Sequence, residues 1–225
     1  SIVDYITCIA TYGKADMPTD STVAPESTTG RLEAFSDGVI AIAITLLVLE
    51  ISIPSGPGSL LDRLGSQWIV YAAYFVSFVI VGAAWLSHHA LIRDLRRTDH
   101  PLLVLNLALL LVVSFIPFPT KVVGEELFAA EFEDQRTAAV LYGATLIALA
   151  VAFNALWWWA RRRGLLHPQL PEAAITARTR QYLIGPVAYA VTTALAFLHP
   201  LASIIATGLV ALTFLLPAHL LKESA

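Results

Sequence analysis

The sequence predicts an all-α polytopic membrane protein with six transmembrane helices per subunit and both termini in the cytoplasm. Of its 225 residues, 57% are hydrophobic and only 14% are charged, whereas soluble domains are typically about 25% charged. Apolar stretches long enough to cross a bilayer recur along the chain with helical rather than alternating periodicity. Lysine and arginine collect in alternate connections between these stretches.

Composition also excludes several classes of protein. The net charge of −3 provides no basic footprint for nucleic acid. The single cysteine excludes an intrachain disulfide and a cysteine-based zinc site. Because the chain is so rich in apolar residues, we expect membrane lipid to surround it.

Residues 1–30 are predicted to form a disordered cytoplasmic tail, and residues 31–225 a transmembrane domain. Proline, serine, threonine and acidic residues dominate the tail, and Lys14 is its only basic residue. Such a segment buries too little apolar surface to offset the entropy of ordering the chain.

Six apolar stretches approach or exceed the roughly 20 residues that span a hydrocarbon core. They cover about 33–53, 67–91, 101–119, 136–160, 180–198 and 200–221. Prolines and glycines of 54–58 end the first, and Pro117 and Pro119 are expected to break the third. Arginines follow the second and the fourth, and His199-Pro200 separates the last two. Gly185-Pro186 is expected to kink the fifth.

Orientation follows from the distribution of basic residues. A cytoplasmic N-terminus places 11 of the 14 lysines and arginines in inner segments. Because positive loops favour the cytoplasmic side, both termini are predicted to be cytoplasmic.

Polar residues from three spans are predicted to meet near the cytoplasmic face. Ser36 and Asp37 lie near the start of the first span, His88 and His89 end the second, and Asn106 lies one turn into the third. The cluster fits a hydrogen-bonded structural network, a proton relay or a His/Asp metal site. Adjacent helical residues diverge by about 100°, which argues against both histidines binding one ion.

One face of the first span has a distinctive composition. Helical spacing aligns Ile42, Leu46 and Leu49 with Phe35 and Gly38, and Thr45 lies beside them. An adjoining strip of small residues contains Ala34, Gly38, Ala41 and Thr45. The face fits ordinary packing within the bundle. It also fits a pore formed by several copies, with a dry constriction of isoleucine and leucine rings and threonine oxygens for a partly dehydrated cation.

Three motifs resemble the transmembrane protein 175 family of lysosomal and prokaryotic potassium channels. The first is Arg31-x-x-x-Phe35-Ser36-Asp37-Gly38; the second is Trp85-Leu-Ser-His88-His89; the third joins Asn106-Leu to Pro117-Phe-Pro119-Thr120. The resemblance covers residues 31–145 clearly and the remainder by layout.

The resemblance implies a potassium-permeable cation channel that assembles as a homotetramer, with the first helix of each subunit lining the pore. Ile42 would form the constriction and Thr45 a threonine layer, followed by Leu46 and Leu49. The motif residues Arg31, Ser36 and Asp37 would bond with Asn106 and with His88 or His89. No cofactor is implied, and no metal beyond permeating potassium and other monovalent cations. The expected location is a prokaryotic plasma membrane.

A proton-coupled transporter of small solutes, using Asp37 with His88 or His89, is the alternative function. An enzyme is not expected, because the sequence has no nucleophile elbow, zinc-protease motif or phosphate loop. Ser36 and Asp37 are adjacent on a helix, a poor geometry for a hydrolase triad.

Overall fold

The fold was obtained as a computed structural model that describes residues 28–53, 55–128 and 131–215. Eight α-helices run through these ranges: α1 (Thr28–Leu46), α2 (Leu60–Ser66), α3 (Trp68–Arg93), α4 (His100–Phe115), α5 (Pro117–Glu126), α6 (Phe132–Arg162), α7 (Glu172–Ala194) and α8 (Pro200–Leu215). Short 3-10 turns, Leu47–Glu50 and Leu195–Phe197, extend α1 and α7. The prediction of an all-α protein is confirmed.

Four segments are long and apolar enough to cross a membrane. They are Thr29–Glu50, Trp68–Arg93, His100–Glu126 and Phe132–Arg162. The last two predicted spans are also helical, but α7 begins with a polar third and α8 is a shorter apolar helix. The total of six spans therefore stays a prediction.

The predicted tail falls almost entirely outside the described residues. Its last three residues, 28–30, form the start of α1 rather than part of a tail. The predicted end of the sixth span at residue 221 also lies outside the described part of the chain. The helix α2 was not predicted; it begins with a capping box in which Ser59 and Asp62 bond each other's backbone amides.

Pro117 and Pro119 interrupt the third span less than the sequence suggests. The helix is broken only at Ile116 and resumes as α5, reaching Glu126. Pro117 is the first residue of α5, where a helix has no use for a backbone N–H. The break that was expected at these prolines is therefore limited to one residue, Ile116, between two helical segments.

Pro186 lies inside α7 and has no N–H to bond the carbonyl group of Tyr182, four residues earlier. The side-chain amide of Asn154 on α6 donates to that oxygen instead, at 2.6 Å. The neighbouring helix thus satisfies a group that the proline leaves unpaired.

Helix α6 forms the centre of the bundle, and α1 lies at its edge. α6 packs against α4, α5, α7 and α8, whereas α1 packs mainly on α3 and α4. Among the described residues, the neighbours of α1 therefore lie mainly on the side of α3 and α4.

The end of the bundle where α3 and α6 finish is rich in arginine, and we refer to it as the arginine-rich end. Just beyond α3, Asp94 pairs with Arg178 of α7, with 2.7 Å between Oδ2 and Nε. Burial raises the pKa of Asp94 above its ordinary value, and the adjacent guanidinium opposes that rise. The pair ties α7 to the end of α3.

Candidate functional site

Helix α1 is attached to the bundle through one face. Leu32, Ser36, Ile40, Ala43 and Leu47 are buried and recur every three or four residues. That spacing follows one side of an α-helix, and the side faces α3 and α4. The opposite side of α1 is consequently the uncovered one.

A buried chain of hydrogen bonds joins α1, α4 and α3. The amide nitrogen of Asn106 donates to the hydroxyl of Ser36 at 2.9 Å, and the Asn106 oxygen lies 2.8 Å from Nε2 of His88. All three side chains are at most 1% exposed. The amide oxygen can only accept, so Nε2 of His88 carries the hydrogen. We call Ser36, Asn106 and His88 the buried triad.

Asp37 and His89 take other partners outside the buried triad. The indole nitrogen of Trp85 donates to Oδ1 of Asp37 at 2.9 Å. Nδ1 of His89 lies 2.9 Å from a carboxylate oxygen of Glu33, and the His89 ring stacks on Trp85 with 6.0 Å between centroids. The adjacent residues of each pair, Ser36 with Asp37 and His88 with His89, therefore diverge as helix geometry requires.

Two of the expected connections are absent from the described residues. Asp37 bonds neither histidine, and Arg31 is exposed without a hydrogen bond or ion pair to the motif residues. Nδ1 of His88 is buried without a hydrogen-bond partner among these residues. Nor do three histidine, cysteine or acidic side chains come together in a metal-binding group in the part of the chain described.

The uncovered side of α1 holds the residues expected to line a pore. Ile42 is 61% exposed and Leu49 72%, and Phe35, Thr45 and Leu46 are also exposed. A Cβ atom added at Gly38 would meet no neighbouring atom of the described residues within 4 Å. The described residues of the subunit thus leave Ile42, Thr45, Leu46 and Leu49 exposed.

This face differs in composition from other exposed faces of the bundle. α4 exposes large side chains suited to lipid: Leu103, Val104, Leu107, Leu111 and Phe115. On α1 the exposed residues include the small Ala34, Gly38 and Ala41. Small residues at such positions are typical of helices that approach another helix closely within a membrane.

The hydroxyl of Thr45 is oriented by its own helix. It donates to the carbonyl oxygen of Ile42 at 2.8 Å. A hydroxyl has one hydrogen and two lone pairs, so this bond uses the hydrogen and leaves the lone pairs able to coordinate. The residue can therefore offer oxygen to a cation.

The sequence did not predict a second buried network, which joins α3, α5 and α6. Ser77 Oγ lies 2.7 Å from the Thr120 hydroxyl and 2.8 Å from the Tyr142 hydroxyl. The sequence also did not predict the pairings of Trp85 and Glu33. Serine, threonine and tyrosine are common in helices, and only their helical faces could have indicated that they meet.

Comparison with known proteins identifies relatives over most of the chain. The family model described as "Endosomal/lysosomal potassium channel TMEM175" matches residues 31–117. A protein of Streptomyces collinus named as a potassium channel is 43% identical over 188 residues, 82% of this chain and 90% of its own length. Another from Chamaesiphon minutus, also named as a potassium channel, is 42% identical over 181 residues, 78% of this chain and 88% of its own.

A solved structure agrees with the fold. The crystal structure of a lysosomal potassium-selective channel TMEM175 homologue from Chamaesiphon minutus matches with a TM-score of 0.73 and 38% identity, covering 83% of this chain and 95% of that one. The family so described is one of ion channels, not of enzymes. With this identity, coverage and shared fold, the chain belongs to the TMEM175 family.

Proposed function

We propose that the protein is a potassium-permeable cation channel whose pore is lined by α1 from four identical subunits. The observation that carries the proposal is the uncovered face of α1, where Ile42, Thr45, Leu46 and Leu49 are exposed beside small residues. The names of the bacterial relatives support potassium as the permeant ion.

In a closed ring of subunits, this face of α1 would contact neighbouring copies and line the pore. One subunit supplies one such helix, so a pore lined by it needs several copies around a symmetry axis. Gly38 and Ala41 let neighbouring helices approach, while Ile42 of α1 and Leu49 of the following 3-10 turn are exposed. The tetramer has both termini on the cytoplasmic side and six spans per subunit, in the plasma membrane of a prokaryote.

The two kinds of pore residue have different tasks. Rings of Ile42, Leu46 and Leu49 form a narrow apolar stretch that excludes water and limits leak. The ring of Thr45 oxygens compensates a cation for part of its lost hydration. The buried triad does not touch the ion; it holds the back of α1 against α3 and α4.

Flux through liposomes that contain the purified protein tests the proposal. Under a potassium gradient without a proton gradient, we expect a current that reverses at the potassium equilibrium potential. A solute flux that saturates and requires a proton gradient would instead establish the alternative, a proton-coupled transporter.

Assembly is tested separately with a substitution at Gly38. Gly38→Trp adds a bulky side chain at an exposed position where an added Cβ meets no neighbouring atom of the described residues within 4 Å. We expect the subunit to keep its helical content while the tetramer dissociates, as measured by light scattering in detergent. Ala108→Trp, on the exposed face of α4, is the matched control and should leave the tetramer intact. An intact, conducting tetramer with Gly38→Trp would contradict a pore lined by this face.

A further inference from the structure

We propose that a groove along α7, bordered by Arg161 of α6 at the arginine-rich end, binds an anionic phospholipid. The groove has a volume of about 550 Å³. Its wall combines two arginines, two threonines and an apolar strip: Arg161, Arg180, Thr176, Thr179, Leu183 and Val187. This site belongs to the periphery of the subunit and is independent of the proposed pore.

The charges in the groove lack acidic partners. Neighbouring arginines at this end are compensated: Arg178 pairs with Asp94, and Arg163 lies 3.8 Å from Asp99. In contrast, neither Arg161 nor Arg180 has a carboxylate partner in the described ranges. Two exposed cations on one groove give it a positive charge that an anionic headgroup complements.

One of the arginines is already positioned. Nη1 of Arg161 donates to the Thr179 hydroxyl at 3.1 Å, and the Trp157 indole donates to the same oxygen at 2.9 Å. The hydroxyl in turn donates to the carbonyl oxygen of Ile175 at 2.7 Å. This arrangement restricts the Arg161 side chain and leaves its remaining N–H groups for a phosphate.

An apolar strip continues from the arginines along α7. Leu183, Val187 and Val191 are each more than half exposed and lie four residues apart. At 1.5 Å per residue, the strip extends about 12 Å, which suits part of an acyl chain. The tryptophans 157–159 mark this level of α6 as a membrane interface. Headgroup charge and acyl chain are thus both accommodated, in the order in which a phospholipid presents them.

Native mass spectrometry of the purified full-length protein in detergent tests the proposal. Phosphatidylglycerol and phosphatidylcholine with identical acyl chains are the probes. We expect phosphatidylglycerol to bind about tenfold more tightly, because each basic residue near a headgroup favours an anionic lipid. The double variant Arg161→Gln/Arg180→Gln should lose this preference, whereas Arg161→Lys/Arg180→Lys should keep most of it.

Two further variants separate the site from general charge and from folding. Arg96→Gln/Arg97→Gln removes the same charge from exposed positions beyond α3 and should leave the preference unchanged. Val187→Trp retains every arginine and fills the groove, so it should weaken the binding of both lipids several-fold. This variant tests the site even if the double arginine variant fails to fold.

Other outcomes would overturn the proposal. Equal affinity for both lipids would show that the groove does not select an anionic headgroup. An equal loss of the phosphatidylglycerol preference in the Arg96/Arg97 control would show that the preference comes from nonspecific charge. Glycerol phosphate binding as tightly as phosphatidylglycerol would identify a free phosphate site. Dissociation of the oligomer by Val187→Trp would identify the groove as a contact between copies of the chain.

Discussion

The hydroxyl group of Thr45 donates its hydrogen to the carbonyl oxygen of Ile42, one helical turn earlier, at 2.8 Å. Both residues lie on the uncovered face of α1. The bond uses the hydroxyl hydrogen, so the two lone pairs of the oxygen can still coordinate a cation. The residue of the proposed oxygen ring is therefore hydrogen-bonded to the backbone of the residue that forms the proposed apolar ring.

Replacing Thr45 tests the oxygen ring. Thr45→Val keeps the shape of the side chain but removes the oxygen, so potassium should lose much of its preference over sodium. Thr45→Ser retains the hydroxyl and should retain the preference. Reversal potentials with potassium on one side and sodium on the other provide the measurement. Identical potentials for the wild type and Thr45→Val would exclude this role.

Replacing Ile42 tests the apolar constriction. Ile42→Ala widens the ring and Ile42→Asn makes it polar, so both should increase ion leak severalfold by allowing water into the narrow stretch. Flux assays in liposomes measure the leak. Leu111→Ala removes a comparable exposed side chain from α4 and is the control. Unchanged flux in both Ile42 variants would place the constriction elsewhere.

Asn106 connects three helices, and its loss should destabilise the protein. Asn106→Leu leaves the Ser36 hydroxyl and the His88 ring buried without their partner, at a cost of about 1–3 kcal/mol for each group. Thermal unfolding of the purified protein measures the effect. Ser114→Ala is the matched control, because that hydroxyl is exposed and bonds only to its own helix. Equal stability of the two variants would show that the buried triad does not hold α1.

Asn154 should matter because of a proline on another helix. Asn154→Leu leaves the Tyr182 carbonyl oxygen unpaired beside Pro186 and should lower stability by about 1–3 kcal/mol. Unfolding in increasing concentrations of a denaturing detergent measures the loss. Thr213→Val, which removes an exposed hydroxyl bonded to its own helix, should have little effect. A double variant with Pro186→Ala should recover part of the loss, since alanine restores the backbone N–H.

Asp37 distinguishes a channel from a proton-coupled carrier. Its carboxylate accepts from Trp85 and bonds neither histidine, so Asp37→Asn keeps an acceptor in the same place. We expect potassium flux to persist at acidic and alkaline pH in this variant. A complete loss of flux together with its pH dependence would instead favour a proton relay through Asp37.

Much of the architecture is predictable from the sequence because a membrane helix is marked by the length of its apolar segment and by the residues at its ends. The apolar segments give α3 and α6 to within about four residues at each end, since arginines and prolines mark where the bilayer or the helix ends. The helix ends within the third span are harder to predict. A proline inside a helix normally breaks it, but Pro117 is the first residue of α5, where its missing N–H costs no bond within the helix.

The polar motif was predictable as a cluster but not as a set of bonds. Span order alone brings Ser36, His88 and Asn106 to a similar depth in the bundle, and all three are joined in the structure. The rotation of each helix about its axis decides the partners, and it depends on packing. That rotation turns Asp37 toward Trp85 and His89 toward Glu33.

The sequence by itself determined that the chain is a bundle of apolar helices and that one helix carries a stripe of Ile42, Leu46 and Leu49, because length, hydropathy and helical period are local properties. Only the tertiary structure decided that the described part of the subunit leaves this stripe exposed, while Ser36 and Ile40 on the other side are buried. The physical reason is that a helix face becomes buried or exposed only when neighbouring helices pack against it, and those neighbours come from distant parts of the chain.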